Sequence, residues 1–245
     1  MTRILIAILA SGAVFAQTAF EVASIKPSDP AARQGIDFRV LPGGLLRVTN
    51  LTADVLIREA YGVKRYQISG GPSWLESDRF DIAAKAEGDP SREQMMAMLR
   101  RLLEGRFQLK VHRENKEGSV YALVVTKGGS KLKEPKKDDQ PAFVRLGRTG
   151  AVTENALTYV MWGHKASLSL IAERLSGELE KPVTDRTGIN GEFDFRLEYA
   201  ADEAHPENGS SLFTAIQEQL GLKLESTKGP IETLIIDHAE KPSAN

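Results

Sequence analysis

The sequence contains no cysteine among its 245 residues. This absence excludes disulfide bonds, thiolate metal sites and cysteine nucleophiles. Metal binding would then depend on His, Asp and Glu, but none of the four histidines is spaced as a ligand pair with another histidine or a carboxylate on one helix or strand. We therefore predict no metal site, no cofactor and a fold stabilised by its hydrophobic core alone.

An excess of charge of one sign is also absent. Lys and Arg number 32, Asp and Glu number 33, and the net charge is −1 at pH 7. Because no basic stripe stands out, we predict no nucleic-acid binding. The glycine pairs Gly43-Gly44 and Gly70-Gly71 lack the following helix and lysine of a phosphate-binding loop.

A long apolar run covers residues 4–16, directly after Arg3. A charged start, an apolar middle too short to span a bilayer and small residues before Gln17 are typical of a secretory signal peptide. We predict that residues 1–16 are this signal peptide, cleaved after Ala16. The mature protein is then exported, periplasmic or extracellular, with no membrane span after signal removal.

The remaining chain mixes helical and strand patterns, which predicts an α+β fold. Asn50 or Thr52 can cap the first helix, and Gly62 ends it. Ser91 with Gln94 forms the capping-box pattern of the next helix. Helices are predicted at residues 51–61, 91–107, 168–175 and 210–220, with short strands between them.

The second half of the chain repeats the element order of the first. Phe80-Asp81 matches Phe193-Asp194, and Leu109-Lys110 matches Leu222-Lys223 at the same offset. We predict a tandem duplication of a small unit in which two helices pack on a mixed β-sheet. A chance resemblance between common helix–strand patterns is the alternative.

The predicted repeats follow the signal peptide directly. The first covers residues 17–133 and the second covers residues 134–245. Residues 127–140 are rich in Lys, Gly, Asp and Pro without an apolar period, which predicts a solvated linker between the repeats.

An aromatic residue follows a rigid turn in the stretch Gly70-Gly71-Pro72-Ser73-Trp74. Two glycines favour positive φ angles and proline fixes its own φ, so the turn holds Trp74 in a short exposed loop between two strands. Trp74 either seals a small core or forms a recognition surface for sugars, peptides or a partner protein. The predicted binding residues are Trp74, Glu76, Asp78 and Arg79.

No catalytic constellation is evident in the sequence. No G-x-S-x-G elbow is present, and the serines near the turn fit capping and turn hydrogen bonds. We therefore predict no catalytic residue and a non-enzymatic binding or protein-interaction module. The alternative is an extracytoplasmic hydrolase that uses the carboxylates Glu76, Asp78 and Asp81 with His112. A purely structural envelope protein is a third possibility.

Several motifs together resemble a known family. They are Phe20-Glu21-Val22-Ala23-Ser24-Ile25-Lys26-Pro27-Ser28, Ala60-Tyr61-Gly62-Val63, Gly70-Gly71-Pro72-Ser73-Trp74-Leu75-Glu76-Ser77-Asp78-Arg79-Phe80-Asp81-Ile82, Leu109-Lys110-Val111-His112-Arg113-Glu114, Tyr121-Ala122-Leu123-Val124-Val125, Asp185-Arg186-Thr187-Gly188 and Gly221-Leu222-Lys223-Leu224-Glu225. The chain resembles the soil-associated bacterial protein family, a domain of unknown function expanded in acidobacteria. Related domains are attached to antirepressor-type membrane metallopeptidases, which implies a sensor or ligand-binding role.

Each half also resembles, in element order alone, the short N-terminal domain of secretins and TonB-dependent receptors. That domain is a periplasmic protein-interaction module, so this resemblance implies a cell-envelope protein as a partner. A small ligand is the other expected partner.

Overall fold

The computed structural model of the protein describes residues 19–29, 35–149, 158–200 and 210–242. The predicted signal peptide at residues 1–16, its cleavage site and His205 lie outside these residues. Within the described chain, no helix is both long and apolar enough to cross a membrane.

Helices and strands alternate along the chain. The strands are β1 (Val22–Pro27), β2 (Asp37–Leu41), β3 (Leu45–Thr52), β4 (Ile68–Gly70), β5 (Arg79–Lys85), β6 (Lys110–Val125), β7 (Phe143–Thr149), β8 (Thr158–Ala166), β9 (Val183–Asp185), β10 (Phe193–Ala200) and β11 (Leu222–His238). The helices are α1 (Ala53–Tyr61), α2 (Trp74–Ser77), α3 (Arg92–Arg106), α4 (Leu168–Glu178) and α5 (Leu212–Ala215). A 3₁₀ turn covers Arg65–Gln67, and a π-helical turn, Ile216–Leu220, continues α5. These elements confirm the predicted α+β class.

The chain forms two compact units. Unit 1 comprises Met1–Val63, Ile68–His112 and Leu234–Asn245, and unit 2 comprises Lys64–Gln67 and Arg113–Thr233. Strands β6 and β11 therefore contribute residues to both units. The boundaries of these packing units differ from those of the predicted sequence repeats at 17–133 and 134–245. The repeats concern the origin of the chain by duplication, which stays a prediction.

Unit 1 is built on an antiparallel sheet with the strand order β1-β5-β3-β2. Apolar side chains alternate along these strands and pack against α1 and α3, as the period-two pattern requires. The core contains Ile25, Leu46, Val48, Leu56, Ile57, Phe80, Ile82, Met95, Leu99, Leu103 and Phe107. Short β4 pairs in parallel with Leu234–Ile236 of β11.

Local signals in unit 1 behave as predicted. Thr52 caps α1 by accepting the Val55 N–H at 3.5 Å, and Gly62 ends the helix with φ of 65°. Ser91 and Gln94 form the capping box of α3. The predicted exposed loop after Pro72 is wrong, since Leu75 N–H donates to the Pro72 carbonyl at 3.1 Å and the chain makes the helical turn α2.

Unit 2 is built on an antiparallel sheet with the strand order β10-β8-β7. Helices α4 and α5 contribute Leu168, Ile171, Leu175, Leu212, Ala215 and Ile216 to its core, together with Leu123, Met161, Phe195, Leu197 and Leu222 from the strands. Short β9 pairs in parallel with the Tyr121–Leu123 part of β6. The remaining sheet has the order β4-β11-β6-β9.

In each unit, a β-bulge in the antiparallel sheet precedes the first helix. In β3 of unit 1 the register against β5 shifts between Val48 and Leu51, and Asn50 has φ of 57°. In unit 2 the register of β10 against β8 shifts between Phe193 and Phe195, and Lys165 of β8 has φ of 46°. Left-handed backbone at a non-glycine residue is uncommon, so neighbouring groups must hold each bulge in place.

Candidate functional site

The two glycines before Trp74 are both in the left-handed region, as predicted from the sequence. Gly70 has φ of 84° and Gly71 has φ of 78°. A Cβ on Gly70 would lie 2.8 Å from the Ile236 carbonyl oxygen, and one on Gly71 would lie 2.6 Å from Leu75 Cδ1. Neither position can accept a side chain without a shift of its neighbours, so this turn requires glycine for both conformation and space.

The Trp74 ring belongs to an aromatic cluster at the edge of the unit 1 core. It stacks on Phe107 with ring centroids 6.2 Å apart and an interplanar angle of 15°. It also meets Phe80 edge-on at 6.3 Å, and Phe80 meets Phe107 in the same way at 5.2 Å. Offset stacking and edge-to-face contacts are the arrangements aromatic rings prefer. Trp74 is half-buried, so it has a packing role, and its predicted binding role stays a prediction.

Lys241 approaches the same tryptophan from the C-terminal segment. Its Nζ lies 6.0 Å from the Trp74 ring centroid and 2.6 Å from Asp78 Oδ2. The Lys241 hydrogen bond, followed by that of the Ser77 hydroxyl, lowers the pKa of Asp78 below its ordinary value. Trp74 and Asp78 thus share one cation, which already occupies the surface that a cationic ligand would use.

The other predicted residues near Trp74 point elsewhere. Arg79 donates from its guanidinium to the Asn50 carbonyl oxygen at 2.8 Å, and Glu76 is exposed on α2. Asp81 accepts the Ser28 hydroxyl at 2.7 Å and the Asn50 N–H at 2.9 Å. Because Asp81 stabilises the β3 bulge, it is not a free carboxylate for acid–base chemistry.

His112, predicted as a partner of these carboxylates in the hydrolase alternative, pairs with a different residue. Its Nδ1 lies 2.8 Å from Asp237 Oδ2. The His112 side chain is 53% exposed and that of Asp237 is 46% exposed. A carboxylate that orients a histidine is one part of a hydrolytic site, and no hydroxyl nucleophile contacts this pair among the described residues.

A second polar cluster lies in unit 2 around His164, where the sequence predicts no site. His164 Nε2 lies 2.9 Å from Asp138 Oδ1, and its Nδ1 lies 2.8 Å from Asp194 Oδ1. Both ring nitrogens therefore lie within hydrogen-bonding distance of a carboxylate oxygen, which fixes the orientation of the ring. With its side chain 11% exposed, His164 is the most enclosed member of the cluster.

Asp194 holds the bulge of β8 as Asp81 holds that of β3. Its Oδ1 accepts the Lys165 N–H at 3.1 Å, and its Oδ2 accepts the Lys136 N–H at 3.0 Å. Burial of Asp194 acts to raise the pKa of this carboxyl, but these two N–H groups and His164 outweigh it and leave the pKa lowered.

Asp138 is held by donors from both sides. The Gln140 N–H lowers the pKa of this carboxyl most strongly, with His164 and Lys165 adding to it against a partial desolvation. Lys165 Nζ also donates to the Asp138 and Gln140 carbonyl oxygens. Among the described residues no three His, Asp or Glu side chains could hold a metal ion.

Residues 131–140 are mostly exposed, as predicted for a solvated segment, and they are also hydrogen-bonded to unit 2 at several points. Lys131 N–H donates to the Leu220 carbonyl at 2.8 Å. Lys133 and Asp194 form an isolated antiparallel bridge. Asp138 then contacts His164 in β8. Backbone and side-chain bonds along its length therefore fix this segment, despite a composition typical of loops.

The 131–140 segment forms one wall of a cleft of about 480 Å³, which we call the His164 cleft. Phe143, Phe195 and Leu220 supply an apolar wall, and His164 and Asp194 lie between them and the segment. This volume is within the usual range of small-molecule sites, and an apolar wall with a few fixed polar groups is their usual lining.

A larger cleft of about 650 Å³ lies beside Tyr159 and Tyr199 in the same unit. Its carboxylate is already paired, since Glu178 accepts from Arg174 at 2.8 Å and from the Tyr199 hydroxyl at 3.3 Å. Burial and the Glu178 charge raise the pKa of Tyr199. Arg148 and Ala200, which line it, stand next to chain outside the described residues. We therefore take the His164 cleft as the candidate site.

Sequence reasoning missed this cluster although one signal for it was present. The match of Phe193-Asp194 to Phe80-Asp81 marks Asp194 as the counterpart of a structural carboxylate. His164 is the residue directly before the bulge residue Lys165. A search for charged residues next to the matched positions would have brought His164 and Asp194 together.

Comparison with known proteins identifies a family but no characterised relative. Neither a curated protein nor a solved structure matches the chain. A model of a family described as a protein of unknown function, DUF3738, matches residues 54–239. This match includes all but the first residue of α1, all of α2 to α5, the four predicted binding residues and the residues of the His164 cluster, and the chain belongs to that family.

Proposed function

We propose that this protein is an exported, non-enzymatic binding module whose ligand site is the His164 cleft. The observation that carries the proposal is the His164 cluster itself, in which a largely buried imidazole ring and two carboxylates line an open cleft. Fixed polar groups beside an apolar surface orient a ligand at little cost in conformational entropy. The predicted Trp74 surface is the second binding region to test.

The absence of a free acid–base pair near Trp74 supports a binding role over catalysis. Asp78 is paired with Lys241, and Asp81 holds a bulge. The hydrolase alternative is favoured by one observation, the exposed His112–Asp237 pair, which has the geometry of a base and its orienting carboxylate. The purified protein is tested on a broad panel of esters, glycosides and peptides. Hydrolysis of a panel member by the wild type, lost in the His112→Gln variant, would establish the alternative.

We further infer that the two repeats arose by duplication. Three left-handed residues recur in equivalent places: Asn50 and Lys165 before the first helix, Gly62 and Glu180 after it, and Gln108 and Gly221 after the second helix. Asp81 and Asp194, which hold the two bulges, are the pair matched in the sequence. Independent origins of all these features would require separate coincidences.

Export and a role in the cell envelope complete the proposal. They are supported by the signal-peptide pattern of residues 1–16. A relation to the sensor domains of antirepressor-type membrane peptidases would make the ligand a signal. Cell fractionation and N-terminal sequencing of the exported protein test this part, and a mature N-terminus at Gln17 is the expected result.

The binding proposal is tested by screening a small-molecule library against the purified protein. Ligands are scored by thermal stabilisation and by the imidazole resonances of the four histidines. We expect hits that shift the His164 resonance and leave that of His112 unchanged. Hits that shift neither resonance, and that Trp74→Ala abolishes, would move the site to the aromatic cluster. Hits that shift only His112 would contradict both locations.

A further inference from the structure

We propose that the His164 cleft binds an organic anion, that is, a carboxylate, sulfate or phosphate group carried on a flat or apolar body. This inference rests on the proposed binding function and adds the chemical class of the ligand. It depends on how the 131–140 segment distributes its charges, on the pairing of the nearby carboxylates and on the apolar wall opposite.

The 131–140 segment presents more lysines than carboxylates to the cleft. Lys131, Lys133, Lys136 and Asp138 line it, whereas Glu134 and Asp139 do not. The two acidic residues instead line a neighbouring depression with Lys137. A segment that looks mixed in sequence therefore presents mainly ammonium groups to the cleft.

Both carboxylates that line the cleft already have partners. His164 and Lys165 contact Asp138, and His164 together with two backbone N–H groups contacts Asp194. Arg196 is paired with Glu198 at 2.6 Å. Lys131 Nζ donates to the Glu218 carbonyl at 2.6 Å, an acceptor that carries no net charge.

Three lysines thus lack a carboxylate contact within the described part of the chain. Ammonium groups around a concave surface raise the local concentration of anions and can form charge-assisted hydrogen bonds with carboxylate, sulfate or phosphate oxygens.

The opposite wall indicates that the anion has an organic body. Phe195 is buried, and its ring fills the space above Gly163 so closely that a Cβ there would lie 2.3 Å from Cε1. Phe143 is half-buried, with its ring centroid 5.8 Å from that of His164. Aromatic faces next to a cationic segment suit a ring that carries an acidic group better than they suit a free inorganic ion.

The experiment compares four probes on the full chain. Phenyl phosphate and benzoate carry both features, inorganic phosphate lacks the ring, and benzyl alcohol lacks the charge. Binding is measured by calorimetry and by the His164 imidazole resonance, assigned by substituting the other three histidines in turn. We expect phenyl phosphate or benzoate to bind with a Kd of about 1 mM or tighter and to shift His164.

Matched lysine variants decide whether the segment provides the charge. Lys133→Ala with Lys136→Ala should weaken binding of the better organic anion about tenfold, since each exposed charge pair contributes a few-fold. Lys137→Ala, on the same segment but outside the cleft, should leave the affinity unchanged. All three side chains are exposed, so these variants should fold normally.

Each other outcome overturns a defined part of the inference. If the Lys133, Lys136 pair of substitutions has no more effect than Lys137→Ala, the segment does not recognise the anion. Equal affinity for inorganic phosphate and phenyl phosphate would show that the cleft does not recognise the organic part of the ligand. If benzyl alcohol binds with the same affinity as benzoate and shifts the His164 resonance, the cleft is a ligand site but does not select for an anion. No probe shifting His164 would overturn the inference, while the library screen judges the function separately.

Discussion

The aromatic cluster of unit 1 and the His164 cluster of unit 2 each include a residue at, or next to, one of two aspartates in matched sequence positions, but the surroundings of these aspartates differ. In unit 1, Asp81 holds the β3 bulge, and the ring of the preceding residue, Phe80, packs with those of Trp74 and Phe107. In unit 2, Asp194 holds the β8 bulge and also contacts the largely buried His164 ring. The first arrangement closes a core, and the second borders an open cleft.

The difference shows that the same structural task, carried out in both units, is compatible with different local chemistry. Both bulges need an acceptor for a left-handed N–H, and an aspartate supplies it in each unit. In unit 2 the residue next to the bulge is His164, and the 131–140 segment adds Asp138 on its other side. A charged cluster is then built on a support that the fold already requires.

The largest effect should come from the centre of the aromatic cluster. Phe107→Ala removes a fully buried ring that contacts both Trp74 and Phe80. We expect a loss of about 3–5 kcal/mol in the free energy of unfolding, because the cavity adds to the lost burial. Urea unfolding measures it, with Phe213→Ala, at 36% exposure, as the control. A loss no greater than the control would show that unit 1 does not depend on this cluster.

The two histidine–aspartate pairs allow a matched comparison between a buried and an exposed site. His164→Gln leaves two carboxylates without their common donor, so we expect a loss of about 2 kcal/mol. His112→Gln removes an exposed pair and should cost less than about 1 kcal/mol. Equilibrium unfolding of both variants measures the two losses in the free energy of unfolding. Equal losses would contradict the structural importance of the His164 cluster.

Trp74→Ala should have a smaller effect than Phe107→Ala because Trp74 is only half-buried. We expect a loss of about 1–2 kcal/mol from its stacking and partial burial. The variant should keep the affinity for any ligand of the His164 cleft. Loss of that affinity in a folded Trp74→Ala protein would instead support the recognition surface predicted from the sequence.

Acid should weaken both clusters, and the carboxylates define the pH range. The folded-state pKa values of Asp78, Asp138 and Asp194 lie below the ordinary value. Their stabilisation is therefore present above the unfolded pKa of about 4 and is lost as the pH falls through the lower folded values. Asp194→Asn should reduce this loss below about pH 4, measured by urea unfolding at a series of pH values. An unchanged pH dependence would exclude Asp194 as a contributor.

Sequence reasoning succeeded where the signal is local. The caps at Thr52 and Ser91, the helix end at Gly62 and the left-handed glycines Gly70 and Gly71 depend on neighbouring backbone groups, and all are confirmed. It failed at α2, where turn-forming residues also suit a short helical turn. The binding role of Trp74, the export and the duplication stay predictions.

The amino-acid sequence by itself determined the α+β class and the positions of helix caps and tight turns, because these depend on side-chain spacing and on bonds within a few residues. Only the tertiary structure decided that Asp138, His164 and Asp194 meet. His164 lies 26 residues from Asp138 along the chain. Lys165, whose N–H donates to Asp194, lies 29 residues from it. It also decided which lysines of the 131–140 segment line a cleft. Polar composition predicts exposure, whereas the direction of each side chain depends on hydrogen bonds to distant strands.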